Sequence, residues 1–380
     1  MDIKNKQRFF LSLFFFLSGF CFSSWASRIP TIKTNFGFNE AEIGSILLTM
    51  PISSLLGLPI SGWLITRFDS RIPIGIGFLV HGVCLSLIGL AQNTTMLIVA
   101  IFLFAFSMRI FNIAMNTQAI TLQKQFAKKI NGSFHGLWST GGIVGVGFTT
   151  LMVSLNIEMV PHLLAVSTMT IAATVYAYHY LLRDDRATSG NKLKLGKPDP
   201  YILYLGLLVF FASICEGGMF DWSGIYFQEV IGLDIFTSGY LIFMTFMALS
   251  RFFSDRLIDR IGMPRTYVMS AVLIMTGIGL SILFPYFWPA MIGFSLVGFG
   301  TAAVIPMTFT LAGASTKYSA GMAISIIGTY GMVGMLIGPP LIGYLAHAFN
   351  LRVSFILFAF AGFMFIPISK MFFGMVRKGA

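Results

Sequence analysis

Twelve apolar runs, each about as long as a helix that crosses a bilayer, follow one another along this 380-residue chain. A hydrocarbon core of ~30 Å takes ~20 helical residues. Lipid offers no partner for backbone N–H and C=O groups, so an open chain crosses it only as a helix. This ruler predicts helices near 8–29, 41–66, 72–91, 95–123, 131–154 and 160–183, then 201–228, 236–261, 265–284, 287–313, 319–346 and 351–376. Only 10% of residues are charged, against about 25% in a soluble domain. The expected class is therefore an all-α integral membrane protein embedded in the lipid bilayer.

The net charge of +11 invites a nucleic-acid reading, but the distribution of Lys and Arg gives it another meaning. With the N-terminus in the cytoplasm, twenty of them fall on that side. Three, Arg28, Lys33 and Arg352, fall on the other, and Arg109 and Arg251 lie within helices. That asymmetry is the positive-inside pattern. It predicts a multi-pass protein of the cell inner membrane with both termini cytoplasmic and no nucleic-acid partner. The basic start and the apolar stretch 9–26 could mimic a signal peptide. The stretch is too long for one, so it reads as a retained first helix. Cys21, Cys84 and Cys215 sit inside apolar runs without metal-ligand or redox spacing. No P-loop, no His/Cys metal site and no enzyme-like constellation occurs in the sequence. The expectation is a carrier that is not an enzyme and uses no cofactor or metal.

One long polar stretch, 183–200, divides the chain. It is read as a cytoplasmic linker between an N-terminal six-helix bundle (1–182) and a C-terminal one (201–380). The two halves resemble each other. Phe22-Ser-Ser-Trp25 corresponds to Met219-Phe-Asp-Trp222, and Ile65-Thr-Arg67-Phe-Asp-Ser-Arg71 to Ile258-Asp-Arg260-Ile-Gly-Met-Pro-Arg265. Parallel six-helix repeats are a transporter architecture, with the solute near the bilayer midplane at the repeat interface.

These residues resemble the major facilitator superfamily. Asp259-Arg-Ile-Gly-Met-Pro-Arg265 is similar to its D-R-x-G-x-x-R loop motif after helix 8. The turn after helix 2 is a degraded copy, with Thr66 where the family usually has Asp and Asp69 where it has Gly. Arg109 matches the Arg of the helix 4 motif, and Gly334-Met-Leu-Ile-Gly-Pro-Pro-Leu-Ile-Gly343 resembles the Gly-Pro motif usually seen on helix 5. Ser24-Trp-Ala-Ser-Arg-Ile-Pro30 and Glu216-Gly-Gly-Met-Phe-Asp-Trp-Ser223 look most like the YbjJ-type inner-membrane branch, which implies no particular substrate. The resemblance implies two pseudo-symmetric six-helix bundles. Helices 1, 4, 7 and 10 would line a cavity, 2, 5, 8 and 11 would form the interface, and 3, 6, 9 and 12 would lie outside.

The charges inside the spans fall on helices 4, 7 and 8, and a charge at a bilayer centre costs about 2.5–3.5 kcal/mol on insertion scales. Arg109 and Glu216 lie near the middles of helices 4 and 7, one in each half. They are expected to share a depth and to meet or share a solute. Glu216 is read as the proton-coupling carboxylate, because apolar surroundings favour its neutral form and a nearby guanidinium its ionised form. A static ion pair is the other reading. Asp221, beyond Gly217-Gly218 (a possible kink), is an outer gate or solute ligand, or an interfacial carboxylate. His135 could assist proton exit or simply sit at a helix entry.

Arg109, Asn112 and Asn116 are spaced i, i+3, i+7 and form one stripe, whose amides either contact a solute or glue helices together; Gln118 lies off it. Trp25 and Trp222 either stack on a solute or anchor and pack the helix ends. Tyr330 and Thr301 are further cavity candidates. Arg251 and Asp255, spaced i, i+4, read as a structural pair or inner gate together with Asp259 and Arg260, and Arg67 is their counterpart in the first half. The expected function is secondary active transport of a small polar organic solute, sugar-like or carboxylate-like. It would proceed by alternating access, proton-coupled as symporter or antiporter, in a monomer. The alternatives are a multidrug/proton antiporter, a non-transporting membrane sensor, or a lipid-handling protein.

Overall fold

The computed structural model describes residues 2–127, 130–183, 185–186, 199–318 and 320–379. Among these, eleven helical stretches are long and apolar enough to cross a membrane. They are α1 (Ile3–Phe36), α2 (Glu40–Arg67), α3 (Arg71–Leu90), α4 (Thr94–Gln123), α5 (Gly132–Ser154), α6 (Met159–Tyr180), α7 (Pro200–Glu229), α9 (Met263–Leu283), α10 (Phe287–Gly313), α11 (Met322–Ala348) and α12 (Leu351–Arg377). The helix between α7 and α9, α8 (Ser238–Ile261), is 24 residues long and contains Arg251, Asp255, Arg256, Asp259 and Arg260. Those charges keep it below the apolarity of the others, although it occupies the eighth place of the repeat.

Local chemistry sets the helix ends. Asn39 and Glu42 form a reciprocal capping box at the start of α2. The side chains of Asn93, Asp199 and Asn350 accept the first-turn N–H groups of Met96, Ile202 and Val353. Pro200 follows its cap at the first helical position, where a missing N–H costs nothing. Gly262 closes α8 at φ 79°, a conformation that favours glycine.

Two differences from the expected boundaries matter. The sequence places the end of helix 1 near 29 with Arg28 and Lys33 in a loop. Instead the chain turns at Ser27 and Arg28 and resumes as a short helix, Ile29–Phe36. Both basic residues are buried there. Helix 2 is interrupted at Leu48, between Glu40–Leu47 and Thr49–Arg67.

The chain forms two compact units: Met1–Phe36 with Thr49–Lys192, and Gly37–Leu48 with Leu193–Ala380. The short helix Glu40–Leu47 thus belongs by its contacts with the second unit, where it packs on α11. Within the first unit α1 packs on α5, α3 on α4, α2 on α4 and α3 on α6. Within the second α7 packs on α11, α9 on α10, α8 on α10 and α9 on α12. The second set is the first shifted by six helices, so the repeat legible in sequence is a repeat of packing.

Glycine makes the closest of these contacts possible. A Cβ on Gly19 would overlap the Trp138 carbonyl, and one on Gly141 the Phe16 carbonyl. Gly334 stands in the same relation to the Phe210 carbonyl at the α7–α11 crossing. Without a hydrophobic drive between helices in lipid, such small-residue crossings supply the packing. Rings fill the centres of both units. Phe78 stacks on Phe111 with centroids 4.0 Å apart. Tyr226 meets Phe355 at 4.5 Å and donates its hydroxyl to Ser281 O at 2.6 Å.

Candidate functional site

In the first unit, α4 carries Arg109, Asn112 and Asn116, all half-buried. Asn116 Nδ2 donates to Asn112 O at 2.8 Å, which ties the stripe to its own helix. Opposite Arg109, α2 presents Gly57. A Cβ there would lie 3.2 Å from Cβ and Cγ of Arg109, so the glycine makes room for the arginine stem. Arg109 Nε is buried without a partner. Among the described residues its guanidinium makes no hydrogen bond or ion pair. A guanidinium carries five donors, and leaving a buried charge uncompensated is costly.

In the second unit, Glu216 on α7 faces Arg251 on α8. Glu216 Oε1 lies 3.6 Å from Arg251 Nη2, with side-chain exposures of 12% and 34%. The sequence suggests Asp255 as the partner of Arg251, one helical turn away. The pairing shown runs to the neighbouring helix; the side chain of Asp255, and with it the expected i, i+4 pair, lies outside the described residues. Arg109 belongs to the first unit and Glu216 to the second, where Arg251 is its ion-pair partner. Gly217-Gly218 does not break α7, which runs unbroken from Pro200 to Glu229. A Cβ on Gly218 would strike the Phe358 ring, so the glycine serves packing against α12. Asp221 is half-buried and has no hydrogen-bond or ion-pair partner among the described residues. Asp259 and Arg260 are exposed at the end of α8, as Arg67 is at the end of α2.

Trp25 and Trp222 are both fully buried, each with an indole N–H that has no partner. Trp25 packs against Phe104 with ring centroids 5.9 Å apart. Both rings are buried inside the protein. His135 is exposed on α5 and meets the Phe15 ring edge-on at 5.6 Å. Tyr330 lies over Gly206 of α7. Thr301 is buried and turns its hydroxyl back to Val297 O and Gly298 O.

Sequence reasoning missed a buried polar clasp in the first unit. Asp185, just after α6, accepts Ser70 N–H at 2.8 Å and the Ser70 hydroxyl at 2.5 Å. Gln118 Nε2 donates to Ser70 Oγ at 2.7 Å, and Arg186 Nε to Asp69 Oδ1 at 3.0 Å. Asp69 and Ser70 belong to the degraded motif after helix 2, and the departure of Asp69 from the family pattern was the available signal. The outer arginines have structural work as well. Arg352 Nη2 donates to Leu283 O at 3.2 Å, and Arg28 Nη2 to Ile157 O at 2.8 Å.

The sequence model of the Major Facilitator Superfamily matches residues 11–317 and 242–379. The chain belongs to that superfamily. It is 31% identical over 352 residues to an MFS-type transporter of Yersinia pestis, covering 92% of this chain and 91% of the relative. It is 28% identical over 368 residues to the membrane protein MosC of Rhizobium meliloti, covering 96% and 89%. Its fold matches that of a bacterial homologue of the human lysosomal transporter Spinster in an inward-facing, unoccupied conformation. The TM-score is 0.77 at 15% identity, covering 98% of both chains. It also matches the nucleoside transporter NupG, with a TM-score of 0.74 at 13% identity, covering 99% and 100%. The protein is thus a multi-pass superfamily transporter, and Arg109 and the Glu216–Arg251 pair belong to a transporter scaffold.

Proposed function

We propose that this superfamily member is a proton-coupled secondary transporter of a small carboxylate-bearing organic solute. It would work by alternating access in the cell inner membrane with both termini cytoplasmic. The observation that carries the reading is Arg109, a guanidinium within a membrane-crossing helix with no hydrogen-bond or ion-pair partner among the described residues. A planar fork of donors matches a carboxylate in two-point fashion. Asn112 and Asn116 on the same stripe supply amides for the rest of a polar solute.

Glu216 and Arg251 supply the coupling. Ionised Glu216 holds Arg251 electrostatically. A proton delivered to the carboxylate removes that attraction and frees the α7–α8 pair to change its arrangement. Because the proton and the solute are held by different units, a cycle that requires both links their movement. Asp221, with no hydrogen-bond or ion-pair partner among the described residues, is the second carboxylate on the path.

The test is flux in proteoliposomes under an imposed pH gradient, with solutes first selected by thermal stabilisation of the purified chain. Glu216→Gln should abolish gradient-driven uptake and spare solute exchange, and Arg109→Gln should abolish binding of the carboxylate solute. Uptake that keeps its pH dependence in Glu216→Gln, or no flux of any stabilising solute, removes the proposal.

A further inference from the structure

A cavity of about 630 Å³ lies at the far end of α1 from the N-terminus, within the first unit. It is separate from the Arg109 stripe, and its walls come from the last part of α1 (the turn at Ser27 and Arg28 and the short helix after it), the end of α3 and the start of α6. From these walls we infer a second small-molecule site, shaped for a zwitterion of amino-acid type.

The positive wall is built around Arg28. The turn at Ser27 and Arg28 swings this side chain inward, leaving the residue only 4% exposed. Its Nε donates to His162 Nδ1 at 3.3 Å and its Nη2 to Ile157 O at 2.8 Å. With Nδ1 accepting, the imidazole carries its proton on Nε2, which reaches Thr149 Oγ1 at 3.4 Å. The guanidinium is therefore locked in orientation. Its Nη1 amino group has no hydrogen-bond partner among the described residues, and Arg28 lines the cavity.

Beside it α6 begins. Glu158 precedes the helix but makes no side-chain cap bond, so the N–H groups of Met159 and Val160 are left without a side-chain acceptor. Both residues line the cavity. A helix start with free N–H groups next to a fixed guanidinium is a carboxylate receptor.

Other parts of the lining have the opposite sign. Gly89, Leu90 and Ala91 line the cavity at the end of α3, where the last carbonyls of a helix lack intrahelical donors and carry its negative end. The Glu158 carboxylate stands on the exposed rim. Among the described residues Arg28 and Glu158 form no ion pair, so neither satisfies the other. A ligand with a carboxylate and an ammonium group satisfies both walls at once, and Gln92 and Asn35 offer amides for the remainder. The volume falls within the usual range of small-molecule pockets.

This inference does not rest on the transport reading. Binding without flux would leave it standing, and flux without this binding would remove it alone. The test is isothermal titration of the purified full-length protein with glycine and glutamine, and with acetate and ethylammonium as the two halves. Saturable binding of a zwitterion is expected, with each half at least about tenfold weaker, since each lacks one charge-assisted contact set. Because Arg28 also braces Ile157 O, the decisive variant is Glu158→Gln on the exposed rim, where the fold is not at stake. It should weaken the zwitterion about tenfold and leave acetate unchanged. Arg109→Gln should leave zwitterion binding intact. The inference is overturned by no saturable binding of either amino acid, by acetate binding as tightly as glycine, by an unaffected Glu158→Gln, or by loss of binding in Arg109→Gln.

Discussion

Replacing Arg251 by Gln should destabilise the protein more than replacing Glu216 by Gln, and the two changes should not add. The charges lie 3.6 Å apart. At that separation the attraction is about 5 kcal/mol for an effective dielectric of ~20 and about 1 kcal/mol in bulk water. Glu216 is largely enclosed, while a third of Arg251 reaches its surroundings. Solvent screening of the exposed part brings the coupling down to about 2 kcal/mol. Removing Arg251 strands the enclosed carboxylate and should cost about 3 kcal/mol, the low end for a broken buried pair. Removing Glu216 takes one carboxylate away from the more exposed cation and should cost about 1 kcal/mol. The double variant should then cost about 2 kcal/mol, less than Arg251→Gln alone. The assay is reversible unfolding of the purified chain in mixed micelles titrated with sodium dodecyl sulfate, run on all four proteins. Additivity within about 0.5 kcal/mol, or a larger loss in Glu216→Gln than in Arg251→Gln, refutes the reasoning.

Three further outcomes follow from packing and polar geometry. Gly141→Ile should lower the thermal midpoint sharply, because any Cβ there meets the Phe16 carbonyl, whereas Gly147→Ile, which faces open space, should leave it nearly unchanged. Gly57→Leu should impair uptake more than stability, since its side chain would displace the stem of Arg109 at 3.2 Å; uptake at the parent rate in the folded variant would contradict the placement of Arg109. Asp185→Ala removes the acceptor of two buried bonds to Ser70 and should cost about 1–3 kcal/mol, read in the same unfolding assay; Arg186→Ala, with its exposed side chain, should cost less than about 1 kcal/mol.

The fold was legible because each part of it has a one-dimensional cause. Apolar runs of bilayer length name the helices, and α8 was found despite its charges because its ends follow the same ruler. Arg109 and Glu216 were legible for the opposite reason: a charge stands out where its surroundings make it expensive. Partnership was not legible. Arg251 has Asp255 one turn along its own helix, and that spacing is the strongest clue a sequence offers. Nothing in that spacing points to Glu216, 35 positions back on α7, which stands 3.6 Å from its guanidinium. Arg28 reads as a loop charge until the turn at Ser27 folds it under the short helix. Trp25 and Trp222 read equally as anchors, packing or stacking platforms, and their complete burial comes from neighbours such as Phe104 that sequence distance hides.

By itself, the sequence determined the membrane class, the helix count, the repeat of two six-helix halves and the two charges most expensive to keep, since all of these depend on local apolarity and its interruption. Only the tertiary structure decided which charges are compensated. It gave Glu216 a cation from the adjacent helix and left Arg109 without a partner among the described residues. The physical reason is range: the cost of placing a charge in lipid is incurred where it stands, but its relief depends on whatever side chain the packing of other helices brings within about 4 Å.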